Sequence, residues 1–249
     1  MDFLDRDGVR IAYEVTGTGP CLLLSHGFGA TSGMWRNNVD ALSADHMVVA
    51  WDQRGHGQSD APSDPSRYGH EQCLADMAAL LDAVGADRAI LVGMSLGGYL
   101  SLAFHLAHPS RVAGLVLVDT GPGFRKDAPR EEWNERARQR ADEISRTGTL
   151  GPATSVEARE AAHRDIQGVA HAARQVLTQA DGRVIDSLPS IAVPTLVVVG
   201  SNDTAFLPAA DYMARTIPGA RKVVIDNAGH AANLDQPADF NAAVTAFLA

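Results

Sequence analysis

Short apolar runs alternate with stretches of helical period along most of the chain. Val9 to Val15 alternates apolar and polar positions like a half-exposed strand, and the turn Thr16-Gly17-Thr18-Gly19-Pro20 follows it. Continuous apolar runs then recur at Cys21–Leu24, Met47–Trp51, Ala89–Val92 and Val112–Val118, and the sheet resumes after residue 188 with Pro194–Gly200 and Lys222–Asp226. Such runs fit strands buried on both faces. Between them, Ser32 to Leu42 sets Trp35, Val39 and Leu42 on one side of a helix, and Glu71 to Val84 does the same with Leu74, Met77, Leu81 and Val84. Leu100 to Leu106, Ala209 to Arg215 and Pro237 to Leu248 read as further helices. The alternation predicts an α/β fold with a doubly wound, mostly parallel sheet.

The rhythm breaks near Gly121-Pro122-Gly123. From there to about Leu188 the chain is polar and helical, without a strong buried strand. Trp133, Ala137, Ala141 and Ile144 fall on one face of a charged helix, and Thr154 to Ala180 supplies one or two more. This stretch, residues 121–188, is expected to be a helical cap inserted over the C-terminal edge of a core made of residues 1–120 and 189–249. Its charges, such as Glu132 and Arg136 at i,i+4, read as a solvated face.

A length of 249 residues suits one domain with such an insertion. The formal net charge of −9 disfavours nucleic acid or an anionic membrane surface as a partner, because either needs clustered Lys and Arg. Cys21 and Cys73 have neither metal spacing nor a disulfide framework, and read as buried small residues in a reducing compartment. The acidic N-terminus lacks a signal-type apolar region, and no apolar run is long enough to span a bilayer, so a cytoplasmic location is expected. Cofactor chemistry finds no support either. Gly27-Phe28-Gly29 lacks the third glycine of a dinucleotide site, having Ser32 there, and Gly93 to Gly98 is followed by Tyr99 and Leu100 instead of a P-loop Lys and Ser/Thr. His105 and His108 have no third ligand, and His70-Glu71 is followed by Leu74 where a zinc motif needs histidine, so no metal is expected.

The chemistry concentrates at strand ends. At Val92-Gly93-Met94-Ser95-Leu96-Gly97-Gly98 an apolar run meets glycines and opens into a helical pattern, which reads as strand, sharp turn, helix. A serine there has its hydroxyl pushed out beside the first backbone N–H groups of the helix. The bland alternative is an N-cap serine, and the motif alone does not decide between them. Asp203 follows the strand ending at Gly200, and His230 follows the strand ending near Asp226, so Ser95, Asp203 and His230 share one sheet edge, where open parallel sheets bind ligands. Asp119 ends the Val112–Val118 strand at the same edge.

With Ser25-His26-Gly27-Phe28-Gly29 and Asp52-Gln53-Arg54-Gly55-His56-Gly57-Gln58-Ser59-Asp60 added to these, the chain resembles the α/β-hydrolase superfamily over nearly all its length except the cap. The resemblance implies a Ser95 nucleophile, a His230 general base, Asp203 as its orienting acid, and an oxyanion hole from the backbone N–H groups of Phe28 and Leu96. Asp119 is the other place where members of the superfamily put the acid; Asp203 matches the commoner one. His26 and His56 are expected to fix their own loops, Met94 and Trp133 to line a pocket with plain packing as the alternative, and Arg125 or Arg159 to pair with a substrate carboxylate. The implied reaction is hydrolysis of a small carboxylic ester, lactone or thioester without cofactor, similar to the small carboxylesterase and enol-lactonase branches. Carbon–carbon bond hydrolysis, perhydrolysis and a slow-turnover small-molecule receptor are the alternatives.

Overall fold

The computed structural model describes residues 1–151 and 155–249. Eight strands form one sheet: β1 (Asp2–Arg6), β2 (Val9–Thr16), β3 (Cys21–Ser25), β4 (Met47–Trp51), β5 (Ala89–Met94), β6 (Val112–Val118), β7 (Thr195–Gly200) and β8 (Arg221–Ile225). Their order is β1-β2-β4-β3-β5-β6-β7-β8. The hairpin β1–β2 and the β2–β4 pair are antiparallel, and every other pair is parallel. The described helices are α1 (Val39–Leu42), α2 (His70–Ala83), α3 (Leu96–Ala107), α4 (Asp127–Thr147), α5 (Val156–Arg159), α6 (Ile166–Gln175), α7 (Arg183–Ser187), α8 (Leu207–Thr216), α9 (Ala232–Asp235) and α10 (Pro237–Leu248).

Strand alternation explains the two-sided core. Leu23, Leu91, Leu115, Leu117 and Val197 point to one face, where Met77 and Leu81 of α2, Leu100 and Phe104 of α3 and Met213 of α8 cover them. Their neighbours Leu22, Leu24, Val92, Val116 and Val198 point to the other, under Trp35, Leu42, and Phe240 and Val244 of α10. Both faces of β3 to β7 are therefore buried, and those strands carry their apolar runs for that reason.

Two local expectations differ. Ser32 to Leu42 is not one helix but a 3-10 turn, Ser32–Trp35, followed by the single-turn α1. Gly33 and the pair Asn37-Asn38 are poor helix formers, and the Asn38 side chain instead donates to the Asn233 carbonyl and to Asn241 Oδ1. β1 has no apolar signature because it is an edge strand, half exposed, paired on one side only.

Helices α4 to α7 lie between β6 and β7, the inserted helical stretch. Ala137, Ala141 and Ile144 of α4 are buried, and Ile144 packs with Val169 and Ala170 of α6. Thr154, the expected start of the second helical stretch, lies outside the described residues. No described helix is long and apolar enough to cross a membrane. Cys21 and Cys73 are free and buried, and burial pushes the Cys21 thiol up to about 11.

Candidate active site

Ser95 sits where β5 turns into α3, with φ 50 and ψ −113, a left-handed conformation rare outside glycine. Its neighbours make the turn possible. A Cβ on Gly93 would lie 2.3 Å from the Gly97 carbonyl oxygen, one on Gly97 would lie 2.2 Å from the Ser25 oxygen, and one on Gly98 would lie 2.5 Å from Thr120 Cγ2. The turn is tied to β6, since Ser95 N–H donates to the Val118 carbonyl (2.9 Å) and the Thr120 hydroxyl donates to the Ser95 carbonyl (2.6 Å). A side chain held in this conformation stores strain that the surrounding packing must offset.

The other two side chains arrive from β7 and β8. His230 Nε2 lies 3.1 Å from Ser95 Oγ, and His230 Nδ1 lies 2.7 Å from Asp203 Oδ2. The two loops are joined by Ser201 N–H to the Ile225 carbonyl and Asn202 N–H to the Ala228 carbonyl, and a Cβ on Gly200 would lie 2.2 Å from the Gly229 oxygen. Burial pulls the His230 imidazolium down, but the Asp203 carboxylate outweighs it, with Glu157 and Asp119 adding, so its pKa stands above the ordinary 6.5. Phe206 stacks on the imidazole at 4.7 Å.

Asp119 does not touch His230 by hydrogen bond. Its Oδ1 accepts from Gly200 N–H (2.8 Å) and its Oδ2 from Ala232 N–H (2.9 Å), so one carboxyl ties the start of the loop that carries Asp203 to the end of the loop that carries His230. Burial pushes that carboxyl up to about 7, against those two N–H bonds, which favour the ionised form.

The loop after β3 approaches from the opposite side, close enough that a Cβ on Gly27 would lie 3.4 Å from Ser95 Cβ. Three histidines fix it. His26 Nε2 accepts from Gln53 N–H (3.0 Å) while its Nδ1–H donates to the Gly27 carbonyl (2.7 Å). His56 Nε2 accepts from Gly29 N–H (3.2 Å) while its Nδ1–H donates to the Arg54 carbonyl (3.1 Å). His163, from the helical insertion, donates from Nε2 to the Gly29 carbonyl and accepts from Gly57 N–H at Nδ1. Burial holds all three below the ordinary value, His26 at about 4, which suits neutral rings that accept as well as donate. Sequence reading missed His163, because its contacts are more than a hundred residues away along the chain. Among the described residues, the N–H groups of Phe28 and Leu96 have no acceptor.

Two cavities meet at Ser95. One, about 350 Å³, runs among Leu96, Tyr99, Phe124, Trp133, Leu177 and Phe206 and is mostly apolar. The other, about 500 Å³, is the mouth, bordered by Phe28, His230, Arg136, Arg140, Glu143 and Glu157. Trp133 lines both, its indole N–H donating to the Leu177 carbonyl. Met94 lines neither: fully buried, it points to the same side of the sheet as Val92 and packs into the core. Arg125 is turned away and bonded to Asp186 and Tyr212, and Arg159 borders a separate hollow beside Leu150. Arg136, expected to be solvated, is exposed, and it also borders both cavities, because a helical face that carries Trp133 and Ala137 also carries positions 136 and 140. No group of His, Cys, Asp and Glu among the described residues could hold a metal ion.

Known proteins share this fold. A thermophilic esterase from Thermogutta terrifontis, solved with malate bound, superposes with a TM-score of 0.85 at 32% identity, covering 99% of this chain and 96% of that one. The enol-lactonase from Burkholderia xenovorans gives a TM-score of 0.77 at 28% identity over 99% of both chains. The 3-oxoadipate enol-lactonase 1 of Acinetobacter baylyi is 28% identical over 95% of this chain and 92% of its own length. The model of the alpha/beta hydrolase family matches residues 22–243, from the second residue of β3 into α10. The likeness thus runs through both halves of the sheet and the helices between them, and the chain is a hydrolase that belongs to the alpha/beta hydrolase family.

Proposed function

We propose that this hydrolase cleaves a small carboxylic ester, lactone or thioester through an acyl-enzyme on Ser95. The observation that carries the reading is the Asp203–His230–Ser95 chain, with links of 2.7 and 3.1 Å, ending on a serine held at φ 50 where two cavities meet. A serine hydroxyl is a weak nucleophile on its own, so His230 Nε2 takes its proton as Oγ attacks the carbonyl carbon. The Asp203 carboxylate keeps His230 Nδ1 protonated and stabilises the imidazolium. The developing oxyanion meets the unpaired N–H groups of Phe28 and Leu96, each such donor being worth about 10²- to 10³-fold in rate. The tetrahedral adduct collapses as Nε2 gives its proton to the departing oxygen or sulfur, and water repeats the sequence on the acyl-serine. Residues 121–188 serve as the cap that walls the apolar cavity with Phe124, Trp133 and Leu177. That cavity accommodates a short or medium acyl chain.

The test is a p-nitrophenyl ester series from acetate to decanoate on the wild type and on Ser95→Ala. The wild type is expected to turn over short esters many times, and the variant to lose on the order of 10⁶-fold in kcat. Hydrolysis by Ser95→Ala at a rate near the wild type's would overturn the reading.

A further inference from the structure

Two arginines on one face of α4 reach the mouth beside Ser95 without an ion-pair partner among the described residues. Arg136 and Arg140 stand one turn apart, and both border the cavity that holds His230 and Phe28. The neighbouring arginines are engaged: Arg130 with Asp127, Arg138 with Glu131 and Glu135, and Arg174 with Asp142. Among the described residues, no carboxylate forms an ion pair with Arg136 or Arg140. The Arg140 guanidinium lies 5.3 Å over the Phe28 ring, and its Nε is buried with no acceptor. A guanidinium that borders a cleft with no carboxylate partner among the described residues offers its charge to an acceptor from outside the chain. A guanidinium's planar fork matches a carboxylate.

The position of His230 orients the substrate. His230 borders the mouth and not the apolar cavity. In an acyl transfer the histidine must reach the departing oxygen or sulfur, so the leaving portion lies in the mouth and the acyl portion in the apolar cavity. We infer that the mouth is a carboxylate subsite, in which Arg140, assisted by Arg136, holds a carboxylate on the alcohol or thiol portion of the substrate, while the acyl portion is apolar. This rests on the serine-hydrolase reading above. Glu143 and Glu157 also border the mouth. Glu157 is 7% exposed and accepts the Ser155 hydroxyl at Oε1, with Oε2 unpaired. These carboxylates set the competing case, a cationic leaving group.

The test uses butanoate esters of three phenols of one shape: 3-hydroxybenzoate, its neutral amide, and 3-(aminomethyl)phenol. Monophenyl succinate is added to place the carboxylate on the acyl side instead. Binding to Ser95→Ala is measured by calorimetry, so that no turnover is needed. The carboxylate ester is expected to bind at least about tenfold more tightly than the amide ester, the value of a charge-assisted hydrogen bond. Adding Arg140→Gln should bring that ratio near one with the unfolding midpoint in place, and Arg140→Lys should keep part of it. Equal binding of acid and amide, no measurable binding of the acid, a ratio unmoved by Arg140→Gln, Lys and Gln variants that behave alike, or tighter binding of the ammonium ester or of monophenyl succinate would overturn the subsite. If the ratio appears but the wild type hydrolyses no ester, the subsite stands and the hydrolytic reading of Ser95 fails. If the wild type hydrolyses acid, amide and ammonium esters alike, the reverse holds.

Discussion

His230 acts as a base only when neutral, and Asp203, Glu157 and Asp119 all favour its protonated form. Activity should therefore rise with pH through a midpoint above 6.5 rather than at it. Asp203→Asn removes the largest of those stabilising influences, so the midpoint should fall as the rate drops; kcat/KM measured from pH 5 to 9 checks both. Asp119 makes a different prediction. Replacing it with Ala leaves the buried N–H groups of Gly200 and Ala232 unpaired, at about 1–3 kcal/mol each, and frees the two loops that set the His230–Asp203 contact. Asp119→Ala should lower both the unfolding midpoint and kcat, with KM for a neutral ester little changed. Ser95, Asp203 and His230 were legible as residues of one sheet edge because parallel strands place all their C-terminal ends together. The role of Asp119 was not: the sequence offers it as a rival acid, and only the spacing of the two loops reveals a strap. Arg136 and Arg140 were hidden because a pattern of apolar and polar positions assigns every arginine to solvent, although a helix that roofs a cleft turns the same face to both core and cleft.

At the scale of elements, the turn from β5 into α3 tolerates no side chain on its glycines. Gly97→Ala sets a Cβ 2.2 Å from a carbonyl oxygen of β3, where backbone rather than a flexible side chain must yield. The variant should fold poorly or lose activity with its structure; circular dichroism and thermal melting alongside the ester assay distinguish it from Ser95→Ala, which should keep the fold. The central strands could be read from composition because they are covered on both faces. Edge strand β1 could not, since one partner and open solvent impose no apolar alternation. The split at Arg36 to Asn38 was equally hidden, because the apolar spacing of Trp35, Val39 and Leu42 survives the break and two of those residues still reach the core.

For the whole molecule, one buried ion pair joins the loop after β4 to α2. Arg54 contacts Asp76 through two hydrogen bonds, Nε to Oδ2 at 2.5 Å and a terminal nitrogen to Oδ1 at 2.7 Å, with both side chains almost fully enclosed. Asp76→Ala strands the guanidinium and should cost about 3–5 kcal/mol in urea unfolding, far more than removing Asp127 from its exposed contact with Arg130. The same loop carries His56, which supports Gly29 beside Phe28, so stability and the geometry around Ser95 are linked there. The most direct measurement is rapid quenching of the wild type with p-nitrophenyl butanoate, followed by intact-mass and peptide analysis. A butanoyl group that appears on Ser95 within the first turnover, and never on Ser95→Ala, is the predicted result. Product released over many turnovers with no acyl group on Ser95 at any quench time would contradict it.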